Sequence, residues 1–195
     1  MSAPSFKVLS LSAILAVVAV APMQGQFARQ FFSLSGGAAY SSLTNYNVSS
    51  DWHWGGTAGA SVGVLTFDYS YVELAPAWVQ VGGEGINLNY IDIPLLLGGL
   101  FPLGGLSTYG RAYAGVDLGV KLTCKTDVAL ACEAAKGTVW TLPVGLSILR
   151  MVGGGRFIGV DARYSFGLSD VFDLTQAKQR SWQFRAVFGA TLGGR

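Results

Sequence analysis

Eight ionisable side chains recur in stretches of alternating polarity: Glu73, Asp92, Arg111, Asp117, Lys121, Asp161, Arg163 and Arg185. Four are acidic and four are basic. Facing carboxylates and guanidiniums can pair, and such pairs can do one of two jobs. They can line a path for an ion or a charged substrate, or they can tie a wall together as a salt-bridge network. Asp161 and Arg163 are two residues apart, so an extended chain puts them on one face. Glu73, Arg111 and Arg185 can join them there.

Two further groups could carry chemistry. His53, the only histidine, stands in Asp51-Trp52-His53-Trp54. As a general base it would need a nucleophile such as Ser49 or Ser50 within hydrogen-bond reach, and a third group to orient it. The sequence supplies no obvious third group. The other reading is a polar residue between two tryptophans at a membrane interface. Cys124 and Cys132 are the only cysteines. In an oxidising compartment they close a small loop as a disulfide; otherwise they are free thiols or weak metal ligands. With one histidine in the chain a zinc site lacks ligands. No catalytic residue, metal or cofactor is assigned.

The elements that must position these groups are strands. From Tyr109 to Thr123 every second residue from Ala112 to Leu122 is apolar, and every charge falls on the interleaved set. A period of two marks a β-strand. Fifteen residues is long for a globular strand and suits a tilted crossing of a bilayer, which needs roughly 9–11 residues in the hydrocarbon. Seven more alternating runs surround it: 31–40, 56–65, 69–81, 87–100, 138–149, 156–166 and 180–192. The connections Ser41–Asp51, Cys124–Gly137 and Gly167–Gln179 read as long loops, and those between them as shorter turns. Bacterial membrane barrels keep long loops outside and short turns in the periplasm. An N-terminus that enters from the periplasm places all three long loops outside.

Composition points the same way. Only 12% of residues are charged and 51% are hydrophobic, against about 25% charged in soluble domains. Glycine is 27 of 195, about twice its usual share of ~7%. A net charge of +2, with no basic cluster, gives nucleic acid nothing to bind. Lys7 precedes an apolar run, Val8 to Ala21, and then a small-residue exit, which is the layout of a secretory signal peptide. Residues 1–26 read as that leader and 27–195 as one barrel domain.

Cost decides which face meets lipid. Each Arg or Lys near the midplane of a lipid-facing wall costs about 2–4 kcal/mol. Summed over the charged face, that approaches the ~5–15 kcal/mol stability of a whole domain. The charges therefore point inward and the aliphatic rows outward. An eight-stranded bore is just wide enough to be filled by side chains, so equal numbers of each sign imply a paired, plugged interior. A soluble lipocalin-like calyx has the opposite sense, apolar inside and polar outside. Phe31, Phe32, Tyr40, Trp52, Trp54, Trp140, Tyr164, Phe166, Trp182 and Phe184 fall at or near strand ends, where interfacial girdles belong.

Three motifs carry a resemblance: Glu73-Leu74, the strand Asn89-Tyr90-Ile91-Asp92-Ile93-Pro94-Leu95-Leu96-Leu97, and the strand end Asp161-Ala162-Arg163-Tyr164-Ser165-Phe166-Gly167-Leu168. With the strand Tyr109–Thr123, they resemble the PorT-like family of outer-membrane β-barrel proteins of the Bacteroidota, over the whole mature chain. The resemblance implies an eight-stranded barrel. Many members have no assigned activity, and some are linked to secretion or gliding machinery. The Cys124/Cys132 loop and the C-terminal Gly193-Gly194-Arg195 depart from the family pattern.

The expectation is all-β: an eight-stranded, antiparallel, up-and-down transmembrane β-barrel preceded by a signal peptide, in the bacterial outer membrane. It is read as a non-enzymatic structural or interaction module with a charge-paired lumen. Its partners are the lipid bilayer and lipopolysaccharide, and a protein met through the loops or the periplasmic turns. The alternatives are a barrel enzyme acting on lipid and a soluble periplasmic binding protein.

Overall fold

The computed structural model describes residues 30–45, 48–49, 52–67, 69–83, 86–104, 107–126, 131–172 and 177–192. The leader reading, like Ser50 and Asp51, lies outside them. The strands are β1 Gln30–Asn45, β2 Val48–Ser49, β3 His53–Phe67, β4 Ser70–Leu74, β5 Ala77–Gly83, β6 Ile86–Pro102, β7 Thr108–Thr126, β8 Thr138–Gly153, β9 Arg156–Asp170 and β10 Lys178–Leu192. Among the described residues a short helix, α1 Ala131–Ala134, precedes β8.

Each long strand pairs antiparallel with its neighbours in sequence, and β1 pairs with both β3 and β10. The sheet therefore closes on itself. β4 and β5 form one stave broken at Ala75-Pro76, and β2 is a two-residue extension of the β1 ladder. The wall thus has eight staves. The break has a chemical cause: Pro76 has no N–H to donate and its ring faces outward. The ladder survives through flanking bonds. Ala60 N donates to Pro76 O at 3.0 Å, and Ala75 N donates to Pro94 O at 3.1 Å.

The strands overrun the expected loops. β1 continues through Ser41–Asn45, β7 through Cys124–Thr126, and β9 through Gly167–Asp170. Polar residues end the alternation at these points: Ser41 and Ser42 are polar yet buried at the mouth, so polarity no longer tracks facing. The hydrogen-bonded ladder needs no such contrast and continues.

Sidedness is clear. Leu97 and Leu146 are each 62% exposed on the outer surface, whereas Asp161 and Arg163 are 3% and 2% exposed inside. An exterior of aliphatic rows on a closed ring is a lipid-facing one. At the end with the long connections, Trp54, Tyr40, Trp182 and Tyr164 are successive partners across β3, β1, β10 and β9. Tyr40 lies 4.5 Å from Trp54 and Trp182 lies 4.7 Å from Tyr164, ring to ring. These residues form an aromatic belt over four of the eight staves. Phe31, expected in a girdle, instead points inward, because its place in the alternation opposes Phe32. Its ring meets Tyr71 edge-on at 5.8 Å.

Two apolar clusters occupy the interior. One, toward the short turns, is built on Phe31, Tyr71, Leu96, Tyr113 and Phe157. The other, toward the long connections, is built on Leu43, Val81, Leu88, Tyr90 and Val139. Ala135 and Val171, from two long connections, join the second cluster. These connections fold over the mouth: Lys136 N donates to Val171 O at 2.8 Å, and Ala135 bridges to Phe172. Leu146→Arg tests the sidedness. It should destabilise the barrel by about 2–4 kcal/mol in urea titrations from lipid vesicles.

Candidate functional site

Cross-strand register builds the site. Arg111 on β7 pairs with Ser147 on β8, Ser147 with Asp161 on β9, and Asp161 with Arg185 on β10. These four residues, scattered along the chain, therefore form one row across the inner wall. Glu73, on β4, completes it from across the bore.

Asp161 is the hub. Its Oδ1 accepts hydrogen bonds from Ser147 Oγ at 2.6 Å, Tyr113 OH at 2.8 Å and Arg111 Nη2 at 3.3 Å. Its Oδ2 accepts from Arg185 Nη2 at 2.5 Å and Arg185 Nε at 3.0 Å. Arg111 also donates from Nη1 to Glu73 Oε2 at 2.9 Å and from Nε to Ser147 Oγ at 3.1 Å. A buried ion pair holds only if its remaining donors and acceptors are satisfied. Ser147 and Tyr113 help meet that condition here.

Aromatic faces complete the packing. The Arg111 guanidinium lies 5.1 Å from the Tyr113 ring centre and 5.5 Å from that of Tyr71. Arg163, one inward position above Asp161, donates from Nε to Tyr113 OH at 3.3 Å, with its guanidinium 5.5 Å from the ring. Tyr113 lies flat against the neighbouring strand because that position is Gly145; a Cβ there would come within 2.4 Å of the ring. Neither Tyr71 nor Tyr113 figured among the sequence candidates. The available signal was a tyrosine on the charged face, across the ladder from glycine.

The remaining candidates divide. Asp117 Oδ2 accepts from Thr141 Oγ1 at 3.2 Å. Asp92 is buried and, like Asp117, lies within electrostatic reach of Arg163. Lys121 does not join the interior set. Its Nζ donates to the carbonyls of Ala135 and Cys132 and so holds the α1 segment at the mouth. The inner charge is therefore uneven among the described residues: Glu73, Asp92, Asp117 and Asp161 face Arg111, Arg163 and Arg185. The side chain was long enough to leave its row, which spacing alone does not reveal.

Cys124 and Cys132 form a disulfide, with their Cα atoms 5.6 Å apart. It ties the end of β7 to α1. His53 stands exposed at the rim. Its cross-strand partner is Ser41, whose hydroxyl accepts from Gly82 N at 2.9 Å and donates to Gly82 O at 3.3 Å. That hydroxyl is structural. The side chains of Ser49 and Ser50 lie outside the described residues.

No family model matches the chain, and no curated protein matches it. Solved structures do. The outer membrane protein OprG from Pseudomonas aeruginosa matches with a TM-score of 0.55 at 16% identity, covering 88% of this chain and 99% of that one. Neisserial surface protein A (NspA) matches with a TM-score of 0.54 at 15% identity, covering 83% and 97%. The N-terminal β-barrel domain of Pseudomonas aeruginosa OprF matches with a TM-score of 0.51 at 11% identity, covering 82% and 97%. At these identities the likeness is one of fold. The fold is that of the bacterial outer-membrane β-barrels.

Truncating the hub leaves the buried Arg185 guanidinium without its carboxylate and Arg111 with Glu73 alone. Asp161→Ala should cost about 3–5 kcal/mol, read as a lowered urea midpoint in detergent. Gly145→Ala, which pushes the Tyr113 ring off Asp161, should cost about 1–3 kcal/mol in the same titration.

Proposed function

We propose that this protein is a non-conducting outer-membrane anchor whose long connections form its working surface. The observation that carries this reading is the layered interior. A hydrogen-bonded charge row is backed by an apolar cluster toward the short turns, while a second cluster, closed over by Ala135 and Val171, lies toward the mouth. A path for ions through such a bore would have to break buried ion pairs and pass two apolar layers. The charged residues Glu73, Asp92, Arg111, Asp117, Asp161, Arg163 and Arg185 are thus read as structural. Lys121 and the Cys124–Cys132 disulfide are read as supports of the external surface.

Export by a leader over residues 1–26 is part of the proposal, and so is the orientation. The chain ends and short turns face the periplasm, and α1 with the connection before β10 faces outward. The bilayer and lipopolysaccharide surround the wall. A protein partner would meet the α1 surface, where Glu133 is exposed, or the periplasmic turns. Membership of the PorT-like family, with a role beside secretion or gliding machinery, rests on the strand motifs around Asp92 and Asp161.

Two measurements test this. In planar bilayers the purified barrel should carry no steady current; a stable unit conductance would overturn the closed-bore reading. Protease added to intact cells should cut between Thr126 and Thr138 once the disulfide is reduced. Cleavage only after the outer membrane is permeabilised would reverse the orientation.

A further inference from the structure

We infer that the lipid-facing wall carries a specific site for one anionic phospholipid, its acyl chain in a trough across β1, β10, β9 and β8 and its phosphate on Arg150 and Arg156. The trough follows from register. Gly36, Ala186, Val160 and Ile148 are successive cross-strand partners on the outer face, and the next row is Leu34, Phe188, Ile158 and Arg150. Along β10 the outward residues run Phe184, Ala186, Phe188. Ala186, with Gly36 beside it, leaves a gap between two phenyl rings. The result is a shallow, open depression of about 810 Å³ whose lining is almost wholly apolar.

The one cation in that lining is Arg150. It lies two residues beyond Ile148, where β8 leaves the oily belt for the turn Gly153–Gly155. Arg156 enters β9 from the same turn, and it too is exposed. Neither arginine forms an ion pair with a described residue. Two guanidiniums without an ion-pair partner among the described residues therefore stand exposed on the outer face, at the end of an apolar trough. Guanidinium binds phosphate oxygens bidentately, and an acyl chain fills an apolar trough. A phospholipid joins both features in one molecule.

A second copy of the chain fits less well, because a two-fold axis at this face would bring the arginines of both copies together. Lipopolysaccharide belongs to the opposite leaflet under the orientation proposed above. The site itself rests on the lipid-facing exterior and does not depend on the closed bore.

The full chain, refolded into nanodiscs of mixed phosphatidylglycerol and phosphatidylethanolamine and released into mild detergent, would be read by native mass spectrometry. One phosphatidylglycerol should stay bound per barrel. Arg150→Gln and Arg156→Gln should each lower its retention about fivefold. Gly36→Leu should abolish it by filling the trough. That substitution meets no close neighbour, since the nearest atom to a Cβ there is Thr57 O at 3.8 Å. Heat-modifiable gel migration shows that each variant is folded, and a chain that refolds in no lipid would refute the membrane reading instead. Equal retention of both lipids, unchanged retention in the variants, selective retention of added lipopolysaccharide, or a dimer lost in Gly36→Leu would each overturn the site.

Discussion

A peptide group in hydrocarbon has no water to bond to, so a sheet that enters a bilayer must leave no edge. Most of this structure follows from that requirement. Closing on itself, with β1 bonded to both β3 and β10, satisfies the main chain but fixes the bore at eight staves. A bore that narrow holds side chains and little else. The alternation of the strands then sorts every residue into one of two environments, acyl chains or a crowded axis. The oily rows and the charged rows are two consequences of one closure.

The axis carries the harder chemical problem. Charged groups there are cut off from bulk water, and pairing alone rarely offsets that loss. The chain answers with convergence: one carboxylate, Asp161, takes hydrogen bonds from two guanidiniums, a tyrosine and a serine. The rings of Tyr71 and Tyr113 cover the faces of the arginines. Glycine opposite Tyr113 lets the ring lie flat. Substituting any one member changes the surroundings of the rest, which makes the layer a single cooperative unit.

Sidedness, closure and strand number were legible because they depend on period and on transfer cost, both of which are local. The inward charges on β4, β6, β7, β9 and β10 could be named from alternation alone. What escaped depended on side-chain reach or on partners across the ring. Lys121 shares the inner row, yet its four-carbon stem carries the ammonium to α1. Tyr113 is one tyrosine among eight until its hydroxyl is seen on Asp161. Phe31 read as interfacial because it adjoins Phe32, although alternation puts the two on opposite faces. The strand ends past Ser41, Cys124 and Gly167 lost their alternation where polar residues occupy both faces, and the ladder ran on without it.

The register between β1 and β10 has a consequence for assembly. It runs unbroken from Gln30 opposite Leu192 to Thr44 opposite Lys178, whereas the stave of β4 and β5 is interrupted. The joint between the first and last segments is therefore among the most continuous seams in the wall. It also unites the parts of the cylinder that emerge first and last during synthesis. The interruption at Pro76 stands two staves from β1, so the wall has fewer main-chain bonds to lose there than along the joint that seals it.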